Sequence, residues 1–270
     1  MPVIKVGDIN LEYYVEGDGP PLLMIMGFAG QARTWGRPVV AQLANNFTTI
    51  RFSNRGTGLS DRPDAPITIP QMADDTIALL DALGYGHVHV FGISMGGMIA
   101  QELVLANPER VNRLVLGCTS AAFAHGTPPK PEDTQGMTPV PGLSREEQAK
   151  RFWPVVCAPE FIEKTGVAFL DEILKSNQRP TPLETLMKQG AAVMQHDTFD
   201  RLSRIKAPTL IIHGDIDLLV PHANSPVLHE GIAGSEFVTM PGCAHIFFWE
   251  KPQEAAALVT EFLTRVPAEA

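Results

Sequence analysis

A Gly-x-Ser-x-Gly pattern centred on Ser94 constrains the fold of this chain more than any other feature of its 270 residues. A strand-like apolar run over 87–92 leads into the pattern, and a helix-like run over 95–107 follows it. A strand turns this abruptly into a helix only where the two backbones nearly touch, which leaves no room for a Cβ atom two positions before or after the serine. Gly92 and Gly96 occupy those positions. The sequence therefore predicts a strained turn that exposes the Ser94 hydroxyl above a sheet.

Short apolar runs alternate with amphipathic runs along most of the chain, which is typical of a parallel sheet with helices on both faces. One amphipathic run follows Pro70 and another follows Pro252, each with apolar residues at helical spacing. The candidate strands cover residues 3–6, 11–16, 22–26, 48–52, 87–92, 113–117, 209–213 and 236–240. We therefore predict an α/β fold with a mostly parallel central sheet.

This alternation stops between about residues 121 and 205, where the sequence shows no convincing strand. Five prolines between 128 and 141 indicate that the stretch begins as a loop, because proline continues neither a helix nor a central strand. The strand pattern resumes after Pro208. We predict a helical cap over 121–205, inserted into a core domain that is formed by 1–120 and 206–270.

Two short sequences in this stretch match the pattern of a helix-capping box. One is Ser144-x-x-Glu147, and the other is Thr181-x-x-Glu184 with Pro182 after the threonine. In a capping box the hydroxyl and the carboxylate each accept a backbone N–H that the first turn of the helix leaves free. We therefore predict that one helix begins at each box.

The charge balance limits the kinds of partner that this chain can bind. It has 21 Lys and Arg residues against 30 Asp and Glu residues, for a net charge of −9. That charge argues against nucleic acid or an anionic membrane surface as a partner. The sequence also lacks a dinucleotide fingerprint, a Walker loop and an H-E-x-x-H motif, so we predict neither a metal nor an organic cofactor.

The first apolar stretch and the cysteines both indicate a cytoplasmic protein. Lys5, Asp8 and Glu12 interrupt that stretch, which therefore does not resemble the apolar region of a signal peptide. The 3 cysteines are odd in number and widely spaced. This usage suits a reducing compartment and favours neither a disulfide framework nor a paired-cysteine metal site.

A serine hydroxyl is a poor nucleophile near neutral pH, so it needs a base, and the base needs a carboxylate to orient it. In folds with this strand–turn–helix motif, the acid follows the serine in the chain and the histidine comes last. The acid is expected just after the strand over 209–213, where Asp215 and Asp217 compete. We favour Asp217, since Asp215 directly follows the glycine that ends the strand and suits a turn or surface role.

Three of the eight histidines follow that acid in the chain. His222 and His229 fall on a predicted helix, where we expect a solvent-facing role. His245 lies in a loop between the last strand and the last helix. Such a loop can bring an imidazole between Ser94 and Asp217, so we predict that His245 is the base.

Several of these segments resemble motifs of the α/β-hydrolase superfamily. The segments 92–97, 214–221 and 241–245 resemble its nucleophile, acid and histidine motifs. Gly27 and Phe28, just after the third strand, resemble its oxyanion loop. The motifs occur in the family's order over nearly the whole chain. The resemblance implies a mostly parallel sheet of about eight strands with a cap over the site.

The resemblance also implies which groups bind an oxyanion and where the chain departs from the family. The backbone N–H groups of Phe28 and Met95 are expected to form the oxyanion hole. The segment 55–60 resembles the family's loop after the fourth strand. Met26 stands where the family usually has histidine, and Asn54 where it usually has aspartate. Neither position carries out the chemistry.

Large apolar side chains of the predicted cap favour a mainly apolar acyl or ring substrate. The candidate substrate contacts are Gly27, Phe28, His125, Met137, Trp153 and Met187. Further candidates for the roof of the pocket are Phe152, Phe161, Phe169 and Met194.

These residues together predict a cofactor-independent serine hydrolase that cleaves a small, mainly apolar carboxylic ester or lactone through an acyl-enzyme. Other chemistry stays open, because the same residue set occurs in carbon–carbon bond hydrolases, enol-lactonases and cofactor-free haloperoxidases or perhydrolases. A small-molecule receptor that keeps these residues and turns over slowly is the alternative from a different class. The sequence does not indicate an oligomeric state.

Overall fold

The computed structural model describes residues 2–138, 140–176 and 179–265. At its centre is an eight-stranded sheet with the order β1-β2-β4-β3-β5-β6-β7-β8. The strands are β1 (Val3–Val6), β2 (Ile9–Glu16), β3 (Pro21–Ile25), β4 (Thr48–Phe52), β5 (Val88–Ile93), β6 (Val111–Gly117), β7 (Thr209–Gly214) and β8 (Glu236–Met240). β2 pairs antiparallel with β1 and β4, and the other neighbouring strands are parallel. The predicted fold class is confirmed, and all eight predicted strands are present.

Helices cover both faces of this sheet. Those that the structure describes are α1 (Arg37–Ala44), α2 (Ile69–Leu83), α3 (Met95–Ala106), α4 (Arg145–Val156), α5 (Pro159–Ser176), α6 (Leu183–Gln195), α7 (Asn224–Gly231), α8 (Phe247–Glu250) and α9 (Pro252–Thr264). None of these helices has both the length and the hydropathy needed to cross a bilayer. As predicted, Pro70 and Pro252 lie in the first turns of α2 and α9, where proline costs no helical hydrogen bond.

The alternation of side chains along β3 shows how the sheet forms two hydrophobic cores. Leu23 and Ile25 belong to the core with α2 and α3, whereas Leu22 and Met24 belong to the core with α1 and α9. All four are fully buried, and each such side chain contributes about 2 kcal/mol to folding. Because the central strands are parallel, the loops at their carboxyl ends meet at one edge of the sheet.

Between β6 and β7 the described residues form the helices α4, α5 and α6. An isolated β-bridge joins Ala122 to Asp197 in this stretch. We call residues 121–205 the inserted segment. α5 is kinked at Gly166, where φ is +46°. Pro139, one of the prolines of the predicted loop, lies outside the described residues. The division of the chain into a core domain and a cap domain stays a prediction.

One of the two predicted capping boxes is present and the other is not. Ser144 caps α4, because its hydroxyl accepts the Glu147 N–H and the Glu147 carboxylate accepts the Ser144 N–H at 2.8 Å. The prediction at Thr181 is wrong, since α6 begins one residue later than expected, with Pro182 as its N-cap residue. The Thr181 hydroxyl instead donates to the Ala29 carbonyl oxygen in the core, at 3.2 Å.

Candidate active site

Ser94 lies at the sharp turn between β5 and α3, with a φ of +56° that is strained for a residue other than glycine. A Cβ atom at Gly92 would overlap the Gly96 carbonyl, and one at Gly96 would overlap the Ile25 carbonyl. The turn is fixed from the neighbouring strand, because the Ser94 N–H donates to the Gly117 carbonyl oxygen at 2.9 Å. The predicted close approach of strand and helix is therefore present.

Asp217 and His245 form a buried pair on two loops at the same edge of the sheet. The Nδ1 atom of His245 lies 2.7 Å from Asp217 Oδ2. The other carboxylate oxygen of Asp217 accepts the N–H groups of Leu219 and Val220 at 2.9 and 3.0 Å. Because Nδ1 donates to the carboxylate, Nε2 of neutral His245 is left as the acceptor that a base requires.

A second histidine, His213, supports Asp217 from the end of β7. Its Nε2 atom lies 2.8 Å from the Val220 carbonyl oxygen and 3.2 Å from Asp217 Oδ2. A carbonyl oxygen can only accept, so Nε2 carries the proton and Nδ1 accepts from the Ser225 hydroxyl at 2.6 Å. Burial alone would raise the pKa of the Asp217 carboxyl, but the charge of His245 and hydrogen bonds from both histidines hold that pKa well below its usual range.

Sequence reasoning gave His213 and Ser225 no role. The available signal was a histidine at the end of a buried strand, four residues before the acid. No sequence pattern predicts the hydrogen bond from Ser225, because α7 brings that serine to His213 from 12 residues away.

The competing candidates of the sequence, Asp215, His222 and His229, have hydrogen-bond partners other than Asp217 and His245. Asp215 is exposed, and its carboxylate accepts the Gly242 N–H at 2.7 Å in the loop before His245. His222 lies before α7 and not on it, since that helix begins at Asn224. His229 lies on α7 and is exposed, as predicted for a solvent-facing residue.

A cavity of about 520 Å³ opens at this edge of the sheet, and Ser94 and His245 both line it. Its other lining residues come from the core loops and from the inserted segment, and they are mostly apolar. Among the described lining residues there is no Asp, Glu, Lys or Arg side chain. His245, the one lining histidine among the described residues, is already paired with Asp217. The site can therefore surround a neutral, apolar ligand but offers no unpaired charge to an ionic one.

Four of the six predicted substrate contacts line this cavity, namely Gly27, Phe28, Met137 and Trp153. His125 does not, because its ring stacks on Phe199 with centroids 4.4 Å apart and its side chain is 45% exposed. Met187 lies on the outer face of α6 and is 68% exposed. Of the further roof candidates, Phe152, Phe169 and Met194 line the cavity, whereas Phe161 packs against the Phe169 ring in a hydrophobic core.

The loop after β3 lies against the serine, as expected of an oxyanion loop. A Cβ atom added at Gly27 would come within 3.5 Å of the Ser94 hydroxyl oxygen. Asn54 supports this loop from below, because its side-chain amide donates to the Met26 carbonyl oxygen at 2.9 Å. Met26, where the family usually has histidine, lines the cavity with an apolar side chain.

The two predicted oxyanion donors both have free N–H groups. No described residue accepts a hydrogen bond from the N–H of Phe28 or from that of Met95, the first residue of α3. Free N–H groups and the positive end of the dipole are normal at a helix N-terminus, and they favour negative charge there. Both groups are thus available to a ligand beside Ser94.

One cluster of the described residues has donor atoms close enough to hold a metal ion. Cys118, Asp217 and His245 each place one such atom within 4.8 Å of the others. Burial raises the pKa of the Cys118 thiol well above its usual range, which opposes the thiolate that a metal needs. Asp217 and His245 already bond to each other, so this cluster follows from their pairing and gives no reason to expect a resident metal.

Known proteins resemble this chain over most of its length. The profile of a family described as the alpha/beta hydrolase fold matches residues 20–140 and 173–252. A proposed carbamate hydrolase of Azorhizobium caulinodans, RutD, is 32% identical over 248 residues, covering 92% of each chain. A 2-hydroxy-6-oxononadienedioate/2-hydroxy-6-oxononatrienedioate hydrolase of Pseudomonas putida is 31% identical over 274 residues, covering 95% of this chain and 92% of the relative.

Solved structures agree with the sequence relatives. The enol-lactonase of Burkholderia xenovorans LB400 superposes with a TM-score of 0.84 at 25% identity, and the match covers 98% of this chain and 100% of the lactonase. The profile match covers well over half of the chain, and the sheet, the strained serine turn and the relatives all agree with it. This chain belongs to the α/β-hydrolase family.

Proposed function

We propose that this hydrolase is a serine enzyme that cleaves a small, mainly apolar carboxylic ester or lactone through an acyl-enzyme. The observation that carries the proposal is the 2.7 Å hydrogen bond between His245 and Asp217 beside a cavity that Ser94 and His245 both line. The strained turn at Ser94 supports it, since backbone strain persists where the surrounding structure enforces it and is concentrated at functional sites.

The proposed reaction has two halves, the acylation of Ser94 and the hydrolysis of the acyl-enzyme. Ser94 Oγ attacks the substrate carbonyl carbon while His245 Nε2 takes the serine proton. Asp217 holds the imidazole in the required tautomer and stabilises the imidazolium. The N–H groups of Phe28 and Met95 bind the oxyanion, and His245 then protonates the leaving alcohol. Water repeats the sequence on the acyl-enzyme and releases the acid.

The chemistry of the cavity supports a neutral substrate. The Pseudomonas putida relative is named for a dioate, which carries two carboxylates. In this chain no described lining residue could pair with such a charge. Burying an unpaired carboxylate costs several kcal/mol, so we propose that the acyl group and the leaving group are both uncharged.

Carbon–carbon bond hydrolysis, enol-lactone hydrolysis and cofactor-free haloperoxidase or perhydrolase chemistry are the alternatives on the same site. The names of the Pseudomonas and Burkholderia relatives favour the first two. The cytoplasmic location and the absence of nucleic-acid, membrane and cofactor partners remain predictions from the sequence.

Hydrolysis of a p-nitrophenyl ester series, from acetate to decanoate, by the wild-type protein and Ser94→Ala tests the proposal. We expect multiple turnover that falls by at least about 10³-fold in the variant, because the nucleophile is lost. Turnover that survives in Ser94→Ala would contradict the serine mechanism. A folded wild-type protein without turnover would favour a carbon–carbon or enol-lactone hydrolase, and ligand-induced stabilisation without turnover of any of these substrates would favour a receptor.

A further inference from the structure

The peptide group that carries the Phe28 N–H lies in a loop whose neighbouring peptides are anchored. On the side of the core, Asn54 holds the Met26 carbonyl oxygen at 2.9 Å. Within the loop, the Gly27 carbonyl oxygen accepts the Gly30 N–H at 3.1 Å. The described peptides are all trans, so the Gly27 carbonyl and the Phe28 N–H of one planar group point in opposite directions. Because the Gly27 carbonyl points towards Gly30, the Phe28 N–H points away from Gly30.

The next peptide group, which joins Phe28 to Ala29, is held by the inserted segment. Gln189 of α6 is fully buried, and its Oε1 atom accepts the Ala29 N–H at 2.9 Å. Its Nε2 atom donates to the Arg55 carbonyl oxygen at 3.3 Å, so both ends of the side-chain amide are occupied. The Thr181 hydroxyl donates to the carbonyl oxygen of Ala29 at 3.2 Å.

Ala29 needs this support, because it has a φ of +59°. For a residue with a Cβ atom this left-handed conformation is strained, and it persists where other contacts enforce it. Both backbone groups of Ala29 are hydrogen-bonded to side chains of the inserted segment, and neither bonds to a described residue of the core. The backbone that directly follows the predicted oxyanion donor is therefore held in place from outside the core.

α6 is attached firmly enough to serve as this support. Lys188 donates to the Asp64 carbonyl oxygen at 2.8 Å. Thr185 is buried against Gly56, where an added Cβ atom would overlap the threonine side chain. A Cβ atom at Gly190 would be 3.9 Å from the Phe28 ring. The helix thus contacts the core loops on both sides of Gln189.

We propose that Gln189 is a positioning residue for the oxyanion hole, which it shapes by holding the Ala29 peptide and so the orientation of the Phe28 N–H. The inference rests on the proposed serine hydrolysis, because that chemistry gives the Phe28 N–H an oxyanion to bind. It assigns to the inserted segment a part in transition-state stabilisation in addition to its part in lining the cavity. Gln189 itself does not line the cavity, and its side chain bonds to Ala29 and Arg55.

The test compares substitutions at Gln189 with a matched change on the same helix. Gln189→Met keeps the length of the side chain and removes both hydrogen bonds, whereas Gln189→Glu keeps an acceptor for the Ala29 N–H. Thr181→Val removes the second anchor at a partly exposed position. Glu184→Gln, which alters an exposed ion pair with Lys188, is the control. The readouts are kcat and KM on a p-nitrophenyl ester, the Ki of an alkyl boronic acid, and amide exchange at Ala29.

We expect Gln189→Met to lower kcat by about 10- to 100-fold with KM changed less than about threefold, because a displaced donor weakens binding of the oxyanion alone. The Ki of the boronic acid should rise by a similar factor, since its tetrahedral adduct places an oxygen in the hole. Exchange at Ala29 should accelerate. Gln189→Glu should recover part of the lost kcat, Thr181→Val should lose about threefold to tenfold, and Glu184→Gln should match the wild type.

Unchanged kcat in Gln189→Met would overturn the inference while leaving the serine mechanism intact. A lower kcat/KM with an unchanged Ki would also overturn it, because an unchanged Ki means that the oxyanion hole is intact. If the wild type neither turns over esters nor binds the boronic acid through Ser94, the proposed function fails. Ala29 exchange then decides the structural part, since exchange that is equally slow in Gln189→Met means that Gln189 does not hold the loop.

Discussion

Two of the places where the inserted segment contacts the core differ in chemistry. At the first, which we call the aromatic contact, Phe169 packs between Trp153 and Trp249, with ring centroids 5.7 and 5.1 Å away. At the second, which we call the polar contact, Gln189 accepts the Ala29 N–H. Apolar burial is strong but has no preferred direction, whereas a hydrogen bond is weak in net energy and strict in geometry. The first contact is suited to hold the segment on the core, and the second to set the position of a backbone group.

Beside the aromatic contact, too, hydrogen bonds hold backbone groups in position. The Glu250 carboxylate accepts the N–H of Ala158, just before α5, at 2.6 Å and the N–H of Ala244 at 2.8 Å. Ala244 directly precedes His245, so the segment is tied to the loop of the predicted base as well. Burial raises the pKa of Glu250, although both N–H groups favour its charged form. Each contact therefore combines attachment with at least one bond to a loop of the site.

The largest loss of kcat should come from a residue that belongs to neither contact, and the other effects are compared with it. Asp217→Asn should lower kcat by about 10³- to 10⁴-fold, because the amide no longer holds the reactive tautomer of His245. Asp215→Asn is the matched control and should change kcat less than about threefold. Steady-state kinetics on one ester give both numbers. Equal losses in the two variants would mean that the acid is assigned wrongly.

Weakening the aromatic contact should reduce stability more than catalysis. Phe169→Ala should lower the free energy of unfolding by about 3 kcal/mol, because it leaves a cavity among three aromatic rings. Phe169→Leu should lose about 1 kcal/mol. Urea titration gives the stabilities, and kcat below the unfolding transition should fall less than in Gln189→Met. A larger loss of kcat in Phe169→Ala would contradict the division of labour between the two contacts.

A substrate that carries a charge tests the proposed preference of the cavity for neutral substrates. An ester with a free carboxylate at the end of its acyl chain should show a kcat/KM about 100-fold below that of its methyl ester, since no described lining residue can pair with the charge. The ratio should shrink in a variant that introduces a cation, such as Met194→Lys, at an exposed edge of the cavity. Equal rates for the two substrates would contradict the proposed preference for neutral substrates.

The smallest expected effect is a loss of folding stability at low pH. Its origin lies at the end of α6, the helix that makes the polar contact. His196 follows α6, and neither of its buried ring nitrogens has a hydrogen-bond partner among the residues that the structure describes. Burial lowers its pKa from 6.5 to about 4, although Glu102 and Asp197 oppose the shift, and Arg201 adds to it. The unfolded chain then binds more protons between these values, so stability falls as the pH falls from 6.5 towards 4.

Between pH 7.5 and 5 this one group should remove about 2 kcal/mol of stability. Urea titrations at both values measure the loss, and His196→Leu should reduce it by about that amount. An equal pH dependence in His196→Leu and the wild type would show that other groups cause the acid sensitivity.

The features predicted correctly from the sequence are those whose causes lie close together in the chain. The eight strands follow from short apolar runs, and the turn at Ser94 follows from two glycines and the elements beside it. The pairing of Asp217 with His245 was predictable, because parallel strands bring the loops at their carboxyl ends together. In all these cases local pattern and fold class were sufficient.

The features that were missed depend on how distant segments pack. Gln189 and Ala29 are 160 residues apart, and no local pattern marks a glutamine that will accept a backbone N–H in another region. Met187 is a predicted substrate contact that does not line the cavity, because the pattern of an amphipathic helix does not show which residues lie over a cavity. Thr181 was assigned a capping role because its spacing fits, whereas its hydroxyl bonds to the core.

The anchoring of Ala29 has a consequence for exchanging parts between members of this family. A segment inserted between β6 and β7 looks like a module that could be replaced to change substrate preference. In this chain, however, a replacement without an acceptor at position 189 would leave the Ala29 N–H without its partner and a strained residue without support. A chimaera should therefore carry Gln189 and Thr181 with the recipient's loop after β3, or exchange that loop together with the segment.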